Sequence, residues 1–196
     1  MITMDAFTAI QKRRSVRKFL QKEIPIEILH KLVDAGRVAP SGANLQCIEY
    51  IIINEEQVRR QVFSCLHWAG YIAPKGNPVA NETPTAYIVM VVNTHIKENN
   101  YQYDMGCAAE NIAIAATAEG LGSCILGAIE KEEIKTILRI PEHCFVDLVV
   151  ALGYPKEQPV TEEFKESVRY FLDESGTLHV PKRRLKDIMH MNRYRR

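Results

Sequence analysis

The run Ala86-Tyr87-Ile88-Val89-Met90-Val91-Val92 carries no charged side chain, so a strand built from it has nothing to turn toward water on either face. Any fold adopted by this chain must bury it. Residues 49–53 (Glu-Tyr-Ile-Ile-Ile) and 147–152 have the same branched, nearly continuous apolar character and read as further buried strands. Between these runs the periodicity changes. Residues 26–35 place apolar side chains at helical spacing, with Pro25 near the start and Gly36 near the end. Residues 55–66 and 131–138 repeat the helical pattern, and residues 103–121 form a long Ala-rich helix that is apolar nearly all round. The pattern is a mixed domain of helices and strands. With no internal repeat, Ser/Gly-rich linker or abrupt shift in composition, residues 1–196 are expected to form one domain.

Composition removes several classes of function. Lys and Arg number 25 against 24 Asp and Glu, a net charge of +1, so no global field favours nucleic acid or an anionic membrane. The five cysteines are scattered and form no Cys-x-x-Cys pair, which argues against a disulfide framework or zinc site and for a reducing cytoplasm. The six histidines likewise lack metal-ligand spacing. The start, Met1-Ile2-Thr3-Met4-Asp5, does not read as an export signal, and no apolar run is long enough to span a bilayer.

Four polar stations stand out against this background. Arg13-Arg14-Ser15-Val16-Arg17 could be a solvated basic turn or half of a phosphate clamp, since guanidinium forks and a hydroxyl suit a phosphomonoester. Ala39-Pro40-Ser41-Gly42-Ala43-Asn44-Leu45-Gln46 offers neutral donors and acceptors for a heterocycle edge, or is an ordinary turn. In Gly120-Leu121-Gly122-Ser123-Cys124-Ile125-Leu126-Gly127, the first two glycines are expected to stop the Ala-rich helix. Gly127 then follows a short strand, where backbone amides could approach a flat ligand. This is not a dinucleotide fingerprint, because the glycines end a helix instead of opening one. Val180-Pro181-Lys182-Arg183-Arg184-Leu185-Lys186 is a second basic cluster, which Val180, Pro181 and Leu185 are expected to pin to the body. Residues 69–84, broken by Gly70, Pro74, Gly76, Pro78 and Pro84, should be a long loop. Cys124 reads as a buried thiol, not a nucleophile, because no His or acid partner is evident.

In this order and spacing, the stations and the helix segment Asp104-Met105-Gly106-Cys107-Ala108-Ala109-Glu110-Asn111 resemble the FMN-dependent nitroreductase family over most of the chain. The resemblance implies an α+β, three-layer fold whose mostly antiparallel sheet is wrapped by helices, and an intertwined homodimer with FMN at the subunit interface. It implies that Arg13, Ser15 and Arg184 hold the FMN phosphate with Arg14 and Lys182 close by, the arm at residues 181–196 completing that grip. Arg17 would lie near the flavin N1 and O2 edge, where a cation offsets the charge that reduction creates. The backbone of Ile125, Leu126 and Gly127 would pass the N5 and O4 edge. Pro40, Ser41, Gly42 and Asn44 would come from the partner subunit, and Gln46 is present in its family position. After Gln46 the family commonly has Pro and an aromatic, where this chain has Cys47-Ile48. The implied activity is hydride transfer from NADH or NADPH through flavin N5 to a nitroaromatic or quinone in a ping-pong cycle. No dedicated catalytic side chain and no metal are expected. The alternatives are a flavin store or sensor, or a specialised relative that dehalogenates reductively or fragments flavin.

Overall fold

A computed structural model describes residues 4–194. Met1 to Thr3, read for an export signal, and Arg195 and Arg196 of the basic tail lie outside the described residues.

The uncharged run becomes β3 (Ala86–Asn93), paired on one side with β2 (Ile48–Ile53) and on the other with β5 (Cys144–Pro155), both antiparallel. Its side chains alternate between two cores. Tyr87, Val89 and Val91 join one, with Val62, Leu66, Cys124, Leu126 and Ile134. Ala86, Ile88, Met90 and Val92 join the other, with Leu29, Leu32, Met105, Ala109 and Ile112. The strand is apolar on successive residues because each face meets its own helical layer. One layer contains α3 (Glu56–Ser64) and α5 (Lys131–Ile137); the other contains α2 (Ile26–Arg37) and α4 (Gln102–Ala118). The result is the expected α+β, three-layer fold.

The twelve-residue β5 also pairs with β4 (Gly122–Leu126) and with the short β1 (Phe19–Leu20). Every pairing in this sheet is antiparallel. A smaller sheet places β8 (Leu178–Lys182) between β6 (Val160–Glu163), which is parallel to it, and antiparallel β7 (Phe171–Leu172). Residues 69–84 contain no helix or strand, as their glycines and prolines predict.

Gly120 terminates α4 in the left-handed region, with φ +76°, as expected of a helix-ending glycine. Gly122 corrects the sequence reading: it is the first residue of β4, not a helix stop. Its role is steric. A Cβ there would lie 2.8 Å from the Val16 side chain, and one on its register partner Gly153 would lie 2.7 Å from the Phe19 ring. The two glycines form a trough in the sheet that accepts the segment after the first helix.

Candidate functional site

The first station is built on that trough. Helix α1 (Ala6–Lys12) is capped by Asp5, whose Oδ1 accepts the Thr8 N–H at 3.0 Å. The chain then runs along the end of β4, with Ser15 bridging Ser123 and the Val16 N–H donating to the Ser123 carbonyl at 2.9 Å. Glu157 fixes the next two residues, its Oε1 accepting from the Arg17 N–H at 2.6 Å and the Lys18 N–H at 3.3 Å. Burying Val16 and Phe19 leaves Arg13, Arg14, Ser15 and Arg17 half-buried around the trough.

The electrostatics of this station favour an anion. Arg13 Nε lies 2.8 Å from Glu110 Oε1 on α4. Burial, and then the neighbouring Arg13 charge, disfavours the Arg14 cation. The Arg17 guanidinium carbon sits 5.1 Å from the centroid of the Tyr170 ring, while its Nε is buried without a hydrogen-bond partner among the described residues. Three guanidiniums and the Ser15 hydroxyl therefore lie within five residues, beside the carboxylates of Glu110 and Glu157, and guanidiniums with a hydroxyl are a donor set suited to a phosphate or another strong acceptor. Cys124, beneath this cluster, is 2% exposed, and burial pushes its thiol pKa up. It is a core residue, as read from the sequence.

At the far end of β4, Leu126 is buried, Ile125 is half-buried and Gly127 is exposed. A Cβ on Gly127 would meet only Leu148 Cδ2, at an ordinary 3.4 Å. Packing within the chain does not demand this glycine, so its open backbone is available to a ligand.

The second station is a strained turn. Residues 40–46 contain a 3₁₀ turn (Gly42–Asn44) in which Ala43 and Asn44 have φ of 52° and 55°, followed by Gln46 at 56°. Three non-glycine residues in the left-handed region within four positions need firm anchoring. Asp104, at the start of α4, supplies it by accepting from Lys97 Nζ at 2.7 Å, the Gly42 N–H at 3.0 Å and Ser41 Oγ at 3.2 Å. Burial raises the Asp104 pKa, but the Lys97 and Gly42 hydrogen bonds outweigh it, and the net shift is downward. Ser41 Oγ also accepts the Gln46 N–H at 2.9 Å. Pro40, Gly42, Asn44 and Gln46 are left exposed, and Ser41 is half-buried.

Among the described residues no hydrogen bond or ion pair joins these two stations. Both hang on α4, Arg13 from Glu110 and the turn from Asp104. Six residues along a helix amount to about 240° of rotation and about 9 Å of rise, so the stations occupy different sides. The fourth station, the C-terminal basic cluster, is separate again. Pro181 is buried in β8, while Lys182 and Arg184 are exposed, and Arg184 Nε donates to Asp187 Oδ2 at 2.8 Å. No hydrogen bond or ion pair among the described residues joins Lys182 or Arg184 to Arg13 or Ser15. The cluster is pinned by β8, not by Leu185, which is 68% exposed, contrary to the sequence reading.

Sequence reasoning missed Glu157, Tyr170 and Lys97. Glu157 is 140 residues from Arg17, and only the fold pairs them. Tyr170 and Lys97 carried no local motif.

The chain matches the family model described as Nitroreductase family over residues 10–154, which spans the first two stations and β4 and stops short of the C-terminal cluster. A Methanothermobacter thermautotrophicus protein provisionally named NADH dehydrogenase/NAD(P)H nitroreductase is 30% identical over 175 residues, covering 87% of each chain. A nitroreductase family protein from Clostridium novyi NT is 28% identical with a TM-score of 0.68, the match covering 78% of this chain and 86% of that one. An FMN-dependent nitroreductase from Clostridium difficile R20291 shares the fold at a TM-score of 0.69 and 23% identity, over 95% of this chain and 98% of the other.

Proposed function

Because this chain belongs to the nitroreductase family, we propose that it is an NAD(P)H-dependent FMN oxidoreductase that works as a homodimer. The observation that carries the reading is the buried, unpartnered Nε of Arg17 beside Arg13, Arg14 and Ser15 at the end of β4. A buried guanidinium nitrogen without an acceptor is costly, and an acceptor on a bound cofactor removes that cost.

The residues present fit FMN. Arg13 and Ser15, with Arg14 near, would take the phosphate, and Lys182 and Arg184, which no hydrogen bond or ion pair joins to them among the described residues, would reach it from the arm at residues 181–196. Arg17 takes the flavin N1 and O2 edge, held in place by Glu157 at its backbone and Tyr170 at its side chain. The backbone of Ile125, Leu126 and Gly127 lines the N5 and O4 edge, where Gly127 keeps the approach open. Pro40, Ser41, Gly42, Asn44 and Gln46 reach the same flavin from the partner subunit, because Asp104 holds that turn on a different side of α4 from Glu110. When bound, FMN would supply the redox chemistry, hydride exchange between NADH or NADPH and an acceptor such as a nitroaromatic or quinone. The chain positions and electrostatically tunes the cofactor and needs no acid, base or nucleophile of its own.

An exposed apolar strip supports the dimer: Phe7 and Ile10 on α1 are 69% and 46% exposed, and Tyr103 on α4 is 82% exposed. Gly106 and Cys107 on α4 are exposed as well. Five unpaired cysteines support a cytoplasmic setting, and among the described residues no helix is long and apolar enough to cross a membrane. Anaerobic addition of NADH or NADPH should bleach the flavin absorbance of the FMN-loaded protein, and a nitroaromatic or quinone should restore it. A flavin that neither bleaches nor recovers would point to a store or sensor.

A further inference from the structure

A cavity of about 490 Å³ lies between α3, the end of the 69–84 loop and the residues after β1, and shares no lining residue with the four stations. Its chemistry is specific. Tyr87 belongs to the core and is 1% exposed, yet it lines this cavity, and its hydroxyl makes no hydrogen bond among the described residues. Burial pushes the phenol pKa up, with the Arg59 charge opposing, so the group is a neutral hydrogen-bond donor at physiological pH. Arg59 is held rigidly, donating through Nε to the Asn54 carbonyl at 3.1 Å and through Nη1 to the Pro84 carbonyl at 3.3 Å. No carboxylate pairs with it among the described residues. The neighbouring Arg60 is different, because Glu56 neutralises it.

The wall is as informative as the charge. Phe63 presents an aromatic surface braced against Trp68 at 5.9 Å, and Ala80 and Pro84 add apolar lining. Gln21 Nε2 is spent on the Thr83 and Phe19 carbonyls, at 2.9 and 3.3 Å, which fixes the cavity edge. One uncompensated guanidinium, one buried phenol donor and an aromatic wall select a monoanion with a flat apolar body. A phosphate dianion would meet only a single unpaired cation and would face the Glu56 carboxylate at the rim.

We propose that this cavity is a second ligand site, separate from the cofactor site, that takes a small planar carboxylate. The carboxylate forks onto Arg59 and accepts from the Tyr87 hydroxyl, while the body lies on Phe63. The volume suits a ligand of this size.

Isothermal titration of the FMN-loaded protein with benzoate tests this, with benzamide as the uncharged probe. The expected result is saturable binding of one benzoate per chain and none of benzamide. Arg59→Gln should weaken benzoate by about tenfold or more, and Tyr87→Phe, which keeps the ring in the core, by about threefold to tenfold. Both variants should retain the flavin spectrum. Absence of saturable benzoate binding would overturn the proposal. So would wild-type affinity in Tyr87→Phe and Arg59→Gln, since it would put the probe elsewhere, such as over the flavin.

Discussion

Arg17 is held tightly at its backbone and left unsatisfied at its side chain. Glu157 accepts its N–H at 2.6 Å, Tyr170 lies against the guanidinium, and Nε is buried with no acceptor among the described residues. Such a residue is suited to tune a bound flavin more than to anchor it. Arg17→Gln should therefore leave FMN bound but slow its reduction by NADH or NADPH about 10- to 100-fold, as loss of one preorganised charge does. Stopped-flow absorbance under anaerobic conditions measures this, and complete loss of FMN would refute the division of labour between Arg17 and Arg13. The candidate polar residues were legible because each stands in a short local pattern. Glu157, which fixes the station, was not, since its significance arises only when β5 returns the chain to residue 17.

At the scale of elements, the first station depends on two missing side chains. Val16 lies over Gly122 and Phe19 over Gly153, so a single added methyl should lift the basic segment off the sheet. Gly122→Ala should cost about 1–3 kcal/mol, as overpacking of a dense core does, and should weaken FMN binding more than it alters the far-ultraviolet circular dichroism. Thermal midpoints and an FMN titration report the two effects, and unchanged FMN affinity would count against the trough. The sequence marked Gly122 as special but assigned it to the helix end, because steric demand across strands has no local signature.

The smaller sheet was not legible at all: β6 is mostly exposed, and β7 has only two residues. It is tied together by His179, whose Nδ1 meets Glu162 Oε2 at 3.0 Å and whose Nε2 meets Asp173 Oδ2 at 3.2 Å, with the Phe171 ring stacked beside it at 5.0 Å. The Asp173 and Glu162 hydrogen bonds raise the His179 pKa against the opposing effect of burial. Asp173 is lowered to about 2, first by the Ser175 hydroxyl and then by the Thr177 N–H, so it stays ionised at neutral pH. A raised histidine pKa contributes fully below the ordinary value of 6.5 and fades as pH climbs through the folded-state value. Amide exchange in β8, corrected for its intrinsic pH dependence, should accelerate over that rise, and His179→Gln should abolish the pH-dependent step. A pH-independent profile in the parent protein would contradict the tie.

For the whole molecule, the uncharged run in β3 announced a buried strand, and the structure shows why: alternate residues enter two separate cores. The order of strands was not readable from periodicity, which is blind to direction and neighbours; the family resemblance implied only that the sheet is mostly antiparallel. The same limit applies to the site. One chain presents the Arg13 to Arg17 station and the turn at residues 40–46 on different sides of α4, which is why the proposed site draws its two halves from two chains. The most direct test is a mixed dimer. One chain carries Arg13→Ala with Ser15→Ala; the other carries Asn44→Ala with Gln46→Ala; differential tags isolate the hybrid. Each variant homodimer should lose tight FMN binding, while the hybrid should hold one FMN per dimer, because one of its two sites is assembled from intact halves. A hybrid with no tightly bound FMN, or an isolated monomer that binds FMN as well as the dimer, would contradict the shared site.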